Sequence, residues 1–164
     1  MPFHASWTPP PTEFIKVNFD GATLNHGLAL GIGVVARNAA GLCLAWASLR
    51  FDRGGTAEIA EAYAAREAVR LAIRHRWRWV VFEGDCESLL LKLSAAQQDC
   101  SLISPLVYDT WFLSRQLESI SFSLVRRAGN SAADFLAKHA LNLTGDGSWL
   151  PHGFASVLGD VFDE

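Results

Sequence analysis

The first strongly patterned stretch of the chain alternates hydrophobic and polar residues. Residues 14–22 read FIKVNFDGA, in which Ile15, Val17 and Phe19 alternate with polar side chains. A period of two is the side-chain period of a β-strand with one buried face. The pattern therefore predicts a first strand over about residues 14–22, with the carboxylate of Asp20 at its far end.

The pattern predicts two more strands directly after the first. They cover residues 28–37 and 42–51, and a short turn joins them. Three strands connected in this way form an antiparallel meander. Gly31 and Gly33 lie inside the second predicted strand and indicate either a bulge or the close approach of another backbone.

The rest of the chain alternates between helical and strand patterns. Thr56 can cap a long helix that ends near residue 75. Further helices are predicted at 86–96, 105–117 and 130–143, and strands at 80–82 and 120–125. The order β-β-β-α-β-α-α-β-α predicts an α/β fold. Its five-stranded mixed sheet, a three-strand meander plus two parallel strands, is flanked by helices on both faces.

Length and composition fit one domain with its own core. The chain has 164 residues, of which half are hydrophobic. Residues 1–13 are predicted as a proline-rich lead-in, 14–143 as the folded domain and 144–164 as a C-terminal tail.

Charge and cysteine content limit how the protein could bind nucleic acid and in which compartment it is expected. A net charge of −3 excludes attachment to nucleic acid by bulk positive charge, so any such binding is local. Three cysteines without CxxC spacing indicate free thiols in a reducing compartment. With no apolar run long enough for a membrane and no secretory signal, we expect an intracellular protein, in the nucleus or cytoplasm.

Three aspartates stand at ends of predicted elements, and each also has a purely structural explanation. Asp20 with Gly21 is typical of a turn between strands. Asp85 lies between a predicted strand and a helix, where aspartate is a good N-cap. Asp134 follows Ser131 by three residues, which matches a capping box. The alternatives stay open at each position.

A fourth acid, Glu61, lies in line with a stripe of small residues on the long helix. The stripe consists of Ala64, Ala65, Ala68 and Ala72. A carboxylate on a sheet-facing helix side needs a partner or a metal. Glu58 lies one turn earlier on nearly the same side, and periodicity does not separate the two.

The four acids together indicate a metal site more strongly than any one alone. Carboxylates that converge in one cleft repel each other unless cations neutralise them. Oxygen ligands suit Mg²⁺ or Mn²⁺. Two such ions can clamp the attacking and leaving oxygens in phosphodiester hydrolysis.

Five segments in this chain resemble the ribonuclease H family, in particular the plant type found as stand-alone proteins and in non-LTR retroelements. They are KVNFDGA at 16–22, GIGVVAR at 31–37 with Gly41 after it, AEAYAAREA at 60–68, FEGD at 82–85, and RAGNSAAD at 127–134 leading into 136–138. The resemblance covers about residues 14–141 in the family's order. It implies the ribonuclease H-like fold and favours Glu61 over Glu58.

The resemblance also implies a function. The metal-binding and catalytic acids would be Asp20, Glu61, Asp85 and Asp134. The activity would be endonucleolytic hydrolysis of the RNA strand of an RNA–DNA hybrid by a two-metal-ion mechanism with Mg²⁺, for which Mn²⁺ can substitute. The nucleic-acid contacts would come from Gly21, Asn25, Arg126, Arg127 and Asn130. We expect a monomer whose partner is the hybrid, and protein partners are not predicted.

This chain departs from the family pattern at several positions. Ala57 and Glu58 replace asparagines that read 2′-hydroxyls in many members, and Glu87 replaces a glutamine. The loop before Asp134 has no histidine. The added negative charge favours an alternative hypothesis, a catalytically weak or inactive module that binds nucleic acid or a partner. A 3′–5′ exonuclease of the same fold is disfavoured because the first strand has no Asp-x-Glu pair.

Overall fold

The computed structural model describes residues 6–25, 27–95 and 101–143. The predicted C-terminal tail and the first five residues of the lead-in lie outside them. The strands are β1 (Ile15–Leu24), β2 (Ala29–Arg37), β3 (Cys43–Phe51), β4 (Trp79–Gly84) and β5 (Ser119–Leu124). The helices are α1 (Ala57–Arg74), α2 (Glu87–Ala95), α3 (Ser104–Ser114) and α4 (Ser131–Ala140), and a 3₁₀ turn, Arg127–Asn130, precedes α4.

The five strands form one mixed sheet in the order β3-β2-β1-β4-β5. The first three strands are an antiparallel meander, and β1, β4 and β5 run parallel to one another. This confirms the predicted fold class. It also makes β1 the centre of the sheet, with an antiparallel neighbour on one side and a parallel neighbour on the other.

The position of Asp20 in β1 differs from the sequence expectation. Pairing with β2 continues through Leu24, so Asp20 lies inside the strand, opposite Gly33. Pairing with the parallel strand β4 stops earlier, at Asn18 and Glu83. Asp20 is therefore not in a turn, but it does lie just beyond the carboxyl end of the parallel part of the sheet.

The helices cover both faces of the sheet, as predicted. Val34 packs in the cluster that contains Ala64 and Ala68 of α1. Its neighbour Val35 packs with Leu136 of α4. Successive residues of a strand point to opposite faces. The helices α1 and α4 therefore lie on opposite sides, with the central strands buried between them.

Two glycines of β2 allow α4 to approach the sheet closely. A Cβ atom on Gly31 would lie 2.1 Å from the carbonyl oxygen of Ala137, and one on Gly33 would lie 2.1 Å from that of Ala133. Close backbone approach was one of the two sequence-based explanations for these glycines. The register irregularity lies elsewhere, between Ala36 and Arg37.

Several local expectations can also be compared with the structure. The Thr56 side chain accepts a hydrogen bond from the Ile59 amide, so the predicted N-cap of α1 is confirmed. Cys43 and Cys86 are free thiols, whereas Cys100 lies outside the described residues. In the part of the chain that the structure describes, no helix has the length and hydrophobicity to cross a bilayer.

Candidate metal centre

Three of the four predicted acids meet at one edge of the sheet. Asp20 comes from β1, Glu61 from α1, and Asp85 directly follows β4. One carboxylate oxygen from each lies within 4.8 Å of the other two. The convergence follows from topology, because the parallel pairing of β1 with β4 ends just before Asp20 and Asp85, and α1 contacts β1 at Gly21.

Gly21 makes this meeting possible. A Cβ atom at this position would lie 2.3 Å from the Ala60 carbonyl carbon and 2.5 Å from the Glu61 amide nitrogen. The missing side chain therefore lets the start of α1 contact β1 and brings Glu61 to Asp20. The Gly21 amide also donates a 2.9 Å hydrogen bond to Asp20 Oδ1, which orients that carboxylate.

Asp20 and Glu61 are both largely buried, and the pKa values of their carboxyl groups are strongly raised. Burial raises the pKa of Asp20, and the charges of Asp85 and Asp134 raise it further. Burial also raises the pKa of Glu61, reinforced by a hydrogen bond with Asp20 and the charge there. Without a cation, a proton on Glu61 relieves the repulsion between the two side chains. Within the described residues, Glu61 Oε2 is buried without a hydrogen-bond partner.

Asp85 lies nearer the open side of the cluster. Burial raises the pKa of its carboxyl group, while the charge of Arg127 acts in the opposite direction. The helix α2 begins at Glu87, and the Cys86 carbonyl accepts the hydrogen bond from the Leu90 amide. Asp85 thus precedes the cap position, and the N-cap explanation for this acid does not apply.

Asp134 lies beside the three clustered acids. Its charge and a hydrogen bond raise the pKa of Asp20, so the two carboxyl groups are neighbours. Lys138, one turn later on α4, pairs with Asp134 at 3.0 Å. Sequence reasoning missed this lysine, although the i,i+4 spacing was a usable signal. Ser131 donates its hydroxyl to the Ala128 carbonyl and forms no capping box.

Glu58 and Glu61 occupy different positions in the structure. Glu58 accepts a hydrogen bond from the Ser88 hydroxyl and lies 4.0 Å from Lys92. Its carboxylate is thus partly engaged between α1 and α2. Glu61 alone of the two belongs to the acid cluster.

An open cleft of about 560 Å³ lies in front of the acids. Its lining residues include Glu58, Glu61, Asp85, Glu87, Arg126 and Arg127. Arg126 and Arg127 are exposed, which suits contact with an anionic ligand. Asn25 is also exposed, with a positive φ of 47° at the end of β1.

Asn130 differs from the other predicted nucleic-acid contacts. It is completely buried. Its amide nitrogen donates to the Phe19 carbonyl, and its oxygen accepts a hydrogen bond from Asn18. The side chain is therefore not presented to a ligand, and this geometry corrects the expectation of a direct contact.

The donor atoms fit a hard divalent cation. All are carboxylate oxygens, the ligands that Mg²⁺ and Mn²⁺ favour. Within the described residues Glu61 Oε2 has no hydrogen-bond partner, and burial raises the pKa values of Asp20 and Glu61, so a cation would find charge there to neutralise. Asp20, Glu61 and Asp85 could therefore hold a metal ion, with Asp134 next to them.

Comparison with known proteins agrees with this architecture. The sequence model of the family described as "Reverse transcriptase-like" matches residues 18–140. RNase H1 from the halophilic archaeon Halobacterium salinarum NRC-1 superposes with a TM-score of 0.74 and 24% sequence identity, over 79% of this chain and 98% of that one. None of the curated proteins compared with the chain matches it significantly.

Two further solved structures have the same fold. The N-terminal RNase H domain of Rv2228c from Mycobacterium tuberculosis gives a TM-score of 0.73 at 21% identity, covering 79% of this chain and 94% of that one. LC11-RNase H1, isolated from compost, was solved in complex with an RNA/DNA hybrid. That complex gives a TM-score of 0.69 at 19% identity, over 78% of this chain and 96% of that one. By its sequence this chain belongs to the reverse transcriptase-like family, and by its structure it has the ribonuclease H fold.

Proposed function

We propose that this protein is a metal-dependent endonuclease that hydrolyses the RNA strand of RNA–DNA hybrids. The observation that carries the proposal is the convergence of Asp20, Glu61 and Asp85, the last two of which line an open cleft. The complex of LC11-RNase H1 with an RNA/DNA hybrid supports the choice of substrate, because that protein shares the fold.

The acid cluster would hold two divalent cations, Mg²⁺ or in its place Mn²⁺. Asp20, Glu61 and Asp85 would supply the shared ligands, with Asp134 at the side of Asp20. When bound, such ions supply the positive charge that activates water and stabilises the phosphate in the transition state. The chain itself fixes the ligands: Gly21 orients Asp20, and Lys138 holds Asp134.

The remaining groups would bind and orient the hybrid. Arg126 and Arg127 are exposed at the cleft, where their guanidinium groups can pair with phosphate oxygens. Arg127 also acts electrostatically on Asp85, so a phosphate bound there would lie beside the acids. We assign 2′-hydroxyl contacts to the end of β1 around Asn25, since such contacts distinguish RNA from DNA.

A cleavage assay tests the proposal. The substrate is a labelled RNA–DNA hybrid with Mg²⁺ and then Mn²⁺, next to single-stranded RNA and duplex RNA. We expect cleavage of the hybrid only, and its loss in Asp20→Asn. The matched control is Asp109→Asn, because Asp109 is an exposed acid that pairs with Arg66 outside the cleft. Absence of cleavage by folded wild-type protein with both metals would refute the proposal.

A specific feature of the cleft favours a second candidate, a weak or inactive binding module. Glu58 and Glu87 both line the cleft, where their charges oppose a polyanion. Glu58 is partly balanced by Lys92, whereas Glu87 is exposed. Salt-dependent hybrid binding without cleavage would favour this candidate.

The charge of Glu87 gives a quantitative prediction about affinity. We expect Glu87→Gln to tighten hybrid binding by about two- to fivefold at low salt, because one repulsive charge is removed. Fluorescence anisotropy at two salt concentrations measures this. Glu118→Gln is the matched control, since Glu118 is an exposed acid at another pocket. Equal affinities of wild-type protein and Glu87→Gln would show that Glu87 does not face the ligand.

A further inference from the structure

The lead-in segment contacts the strand that carries Asp20. The indole nitrogen of Trp7 donates a 3.0 Å hydrogen bond to Asn18 Oδ1. Asn18 is completely buried, and it lies two residues before Asp20 on the same face of β1. Trp7 of the proline-rich segment is therefore hydrogen-bonded to a residue next to the candidate metal centre.

Asn18 also forms hydrogen bonds with two other elements. Its amide nitrogen donates to Glu83 Oε2 of β4 at 3.0 Å and to Asn130 Oδ1 at 3.1 Å. Asn130 in turn donates to the Phe19 carbonyl at 3.0 Å. Hydrogen bonds of Asn18 therefore join the lead-in, β1, β4 and the 3₁₀ turn, and those to β4 and to the turn are buried.

A second set of contacts holds the lead-in in place. The Lys16 ammonium donates to the Thr8 carbonyl at 2.7 Å and pairs with Glu83 at 3.4 Å. The guanidinium of Arg37 lies 4.1 Å from the centre of the Trp7 ring. A Cβ atom on Gly129 would lie 3.5 Å from the Ser6 carbonyl oxygen, so the lead-in also lies close to the 3₁₀ turn.

The turn at the end of this network carries site residues. Arg127, which acts on Asp85, is its first residue, and Asn130, its last residue, is the N-cap of α4. Asp134 lies in the first turn of that helix. Asn130 makes no capping hydrogen bond with its side chain, because the amide is committed to Asn18 and Phe19. The network thus fixes the base from which Arg127 and Asp134 extend.

We propose that Trp7 is a positioning residue for the metal centre. Through Asn18 and Asn130 it holds the 3₁₀ turn and the start of α4 against β1, and so sets the place of Asp134 relative to Asp20. Loss of the indole donor would leave Asn18 Oδ1 buried without a partner, which favours rearrangement of the whole network. The effect of Trp7 on cleavage rests on the proposed function, whereas its effect on the place of the 3₁₀ turn does not.

The test variant is Trp7→Phe, which keeps an aromatic ring for Arg37 and removes the N–H donor. The matched control is Trp79→Phe, because Trp79 begins β4 at the end opposite Asp85. We expect Trp7→Phe to weaken Mn²⁺ binding, measured by calorimetry, by about tenfold, as for other residues that orient metal ligands. The Mg²⁺ concentration for half-maximal cleavage should rise by a similar factor. A smaller folded fraction alone would lower the amplitude and leave both midpoints unchanged.

Two NMR measurements test the inference independently of cleavage activity. In Trp7→Phe, the backbone amide signals of residues 127–134 should shift, whereas Trp79→Phe should leave them in place. In wild-type protein, the Trp7 indole proton should exchange slowly with solvent. Unshifted signals, unchanged Mn²⁺ affinity or a rapidly exchanging indole proton would overturn the inference. If wild-type protein neither binds metal nor cleaves, while the signals still shift in Trp7→Phe, the proposed function is refuted and only the placement of the 3₁₀ turn by Trp7 stands.

Discussion

Two glutamates of α1 are equally buried but differ in the groups that surround them. Glu61 and Glu67 are both only 7% exposed. Glu67 accepts a 2.7 Å hydrogen bond from Arg70 on the same helix, which neutralises its charge. Glu61 lies close to Asp20 and Asp85, and its Oε2 has no hydrogen-bond partner among the residues that the structure describes. A buried acid without a cationic partner is costly, and such groups concentrate at functional sites.

This contrast gives a prediction at the scale of single residues. We expect Glu61→Gln to lower metal-dependent hybrid cleavage by about a hundredfold or more, because a charged ligand is lost. We expect Glu67→Gln to stay within about threefold of wild-type activity, since its partner Arg70 lies away from the cluster. Cleavage rates at saturating Mg²⁺ provide the measurement. Equal losses in both variants would mean that helix stability, not the metal site, is responsible.

Residue patterns in the sequence identified the acids but not their surroundings. Asp20 and Asp85 were named from the ends of predicted elements, Glu61 was chosen over Glu58 by the family resemblance, and the structure brings the three together. The burial of Asn130 could not be read in the same way, because its partner Asn18 is more than a hundred residues away in the chain. The residues around Asn130 in the sequence do not predict such a contact.

At the scale of elements, the site depends on the contact between β1 and α1. Gly21 lies at the crossing, where any side chain would overlap the backbone of Ala60 and Glu61. The glycine is therefore required for packing and for the geometry of the acids at once. By contrast, a Cβ atom on Gly54 would meet only the Gly27 carbonyl oxygen, at 3.4 Å.

We predict that Gly21→Ala lowers the free energy of unfolding by about 3 kcal/mol, because α1 must move away from β1 to relieve the overlap. The matched variant Gly54→Ala should change it by less than about 1 kcal/mol. Chemical denaturation of both variants measures the difference. A Gly21→Ala protein as stable as wild type would contradict the close approach of the two elements.

Element boundaries were largely readable from the periodicity of the sequence. The predicted ends of α3 and α4 lie three residues beyond the observed ones, and β1, predicted over residues 14–22, continues to Leu24. The cause is tertiary, because β2 supplies a pairing partner along the whole of this stretch. An Asp-Gly pair is typical of turns when considered alone, but here Gly21 is selected by the approach of α1.

For the whole molecule, the acid cluster makes the stability of the folded state depend on pH. Burial and mutual repulsion raise the pKa values of Asp20, Glu61 and Asp85. Above the ordinary carboxyl pKa of about 4, the folded state therefore holds more protons than the unfolded state. Stability from these groups consequently falls as the pH rises through their raised pKa values. A bound cation would replace the protons and reverse the effect.

We therefore predict that Mg²⁺ stabilises the protein more at about pH 8 than at about pH 5, where protons compete for the carboxylates. At a hundred times its Kd, the ion should add about 2.7 kcal/mol, or a rise in Tm of about 5–10 °C. Thermal unfolding with Mg²⁺ and with chelator measures this.

The variant Asp20→Asn serves as the control for metal-linked stability. It should lose most of the Mg²⁺ effect, and without metal it should be more stable than wild type at the higher pH, because one repulsive charge is gone. The same Mg²⁺ stabilisation in wild type and variant would place the ion elsewhere on the protein.

Other properties of the whole molecule stay predictions. These are the monomeric state, the intracellular location, the plant and retroelement origin, and the domain limits at residues 14 and 143. The family match over residues 18–140 falls within those limits. The described structure ends at residue 143 and leaves the predicted tail undescribed.

The sequence by itself determined the element order and the five-stranded mixed sheet, because periodicity and turn residues are local signals, and its resemblance to a known family named the four candidate acids. Only the tertiary structure decided how these parts work together. It extended β1 beyond Asp20, separated Glu61 from Glu58, and buried Asn130 beneath the site. These outcomes depend on which backbones approach each other and on which polar groups are left to pair, and residues far apart in the chain decide both.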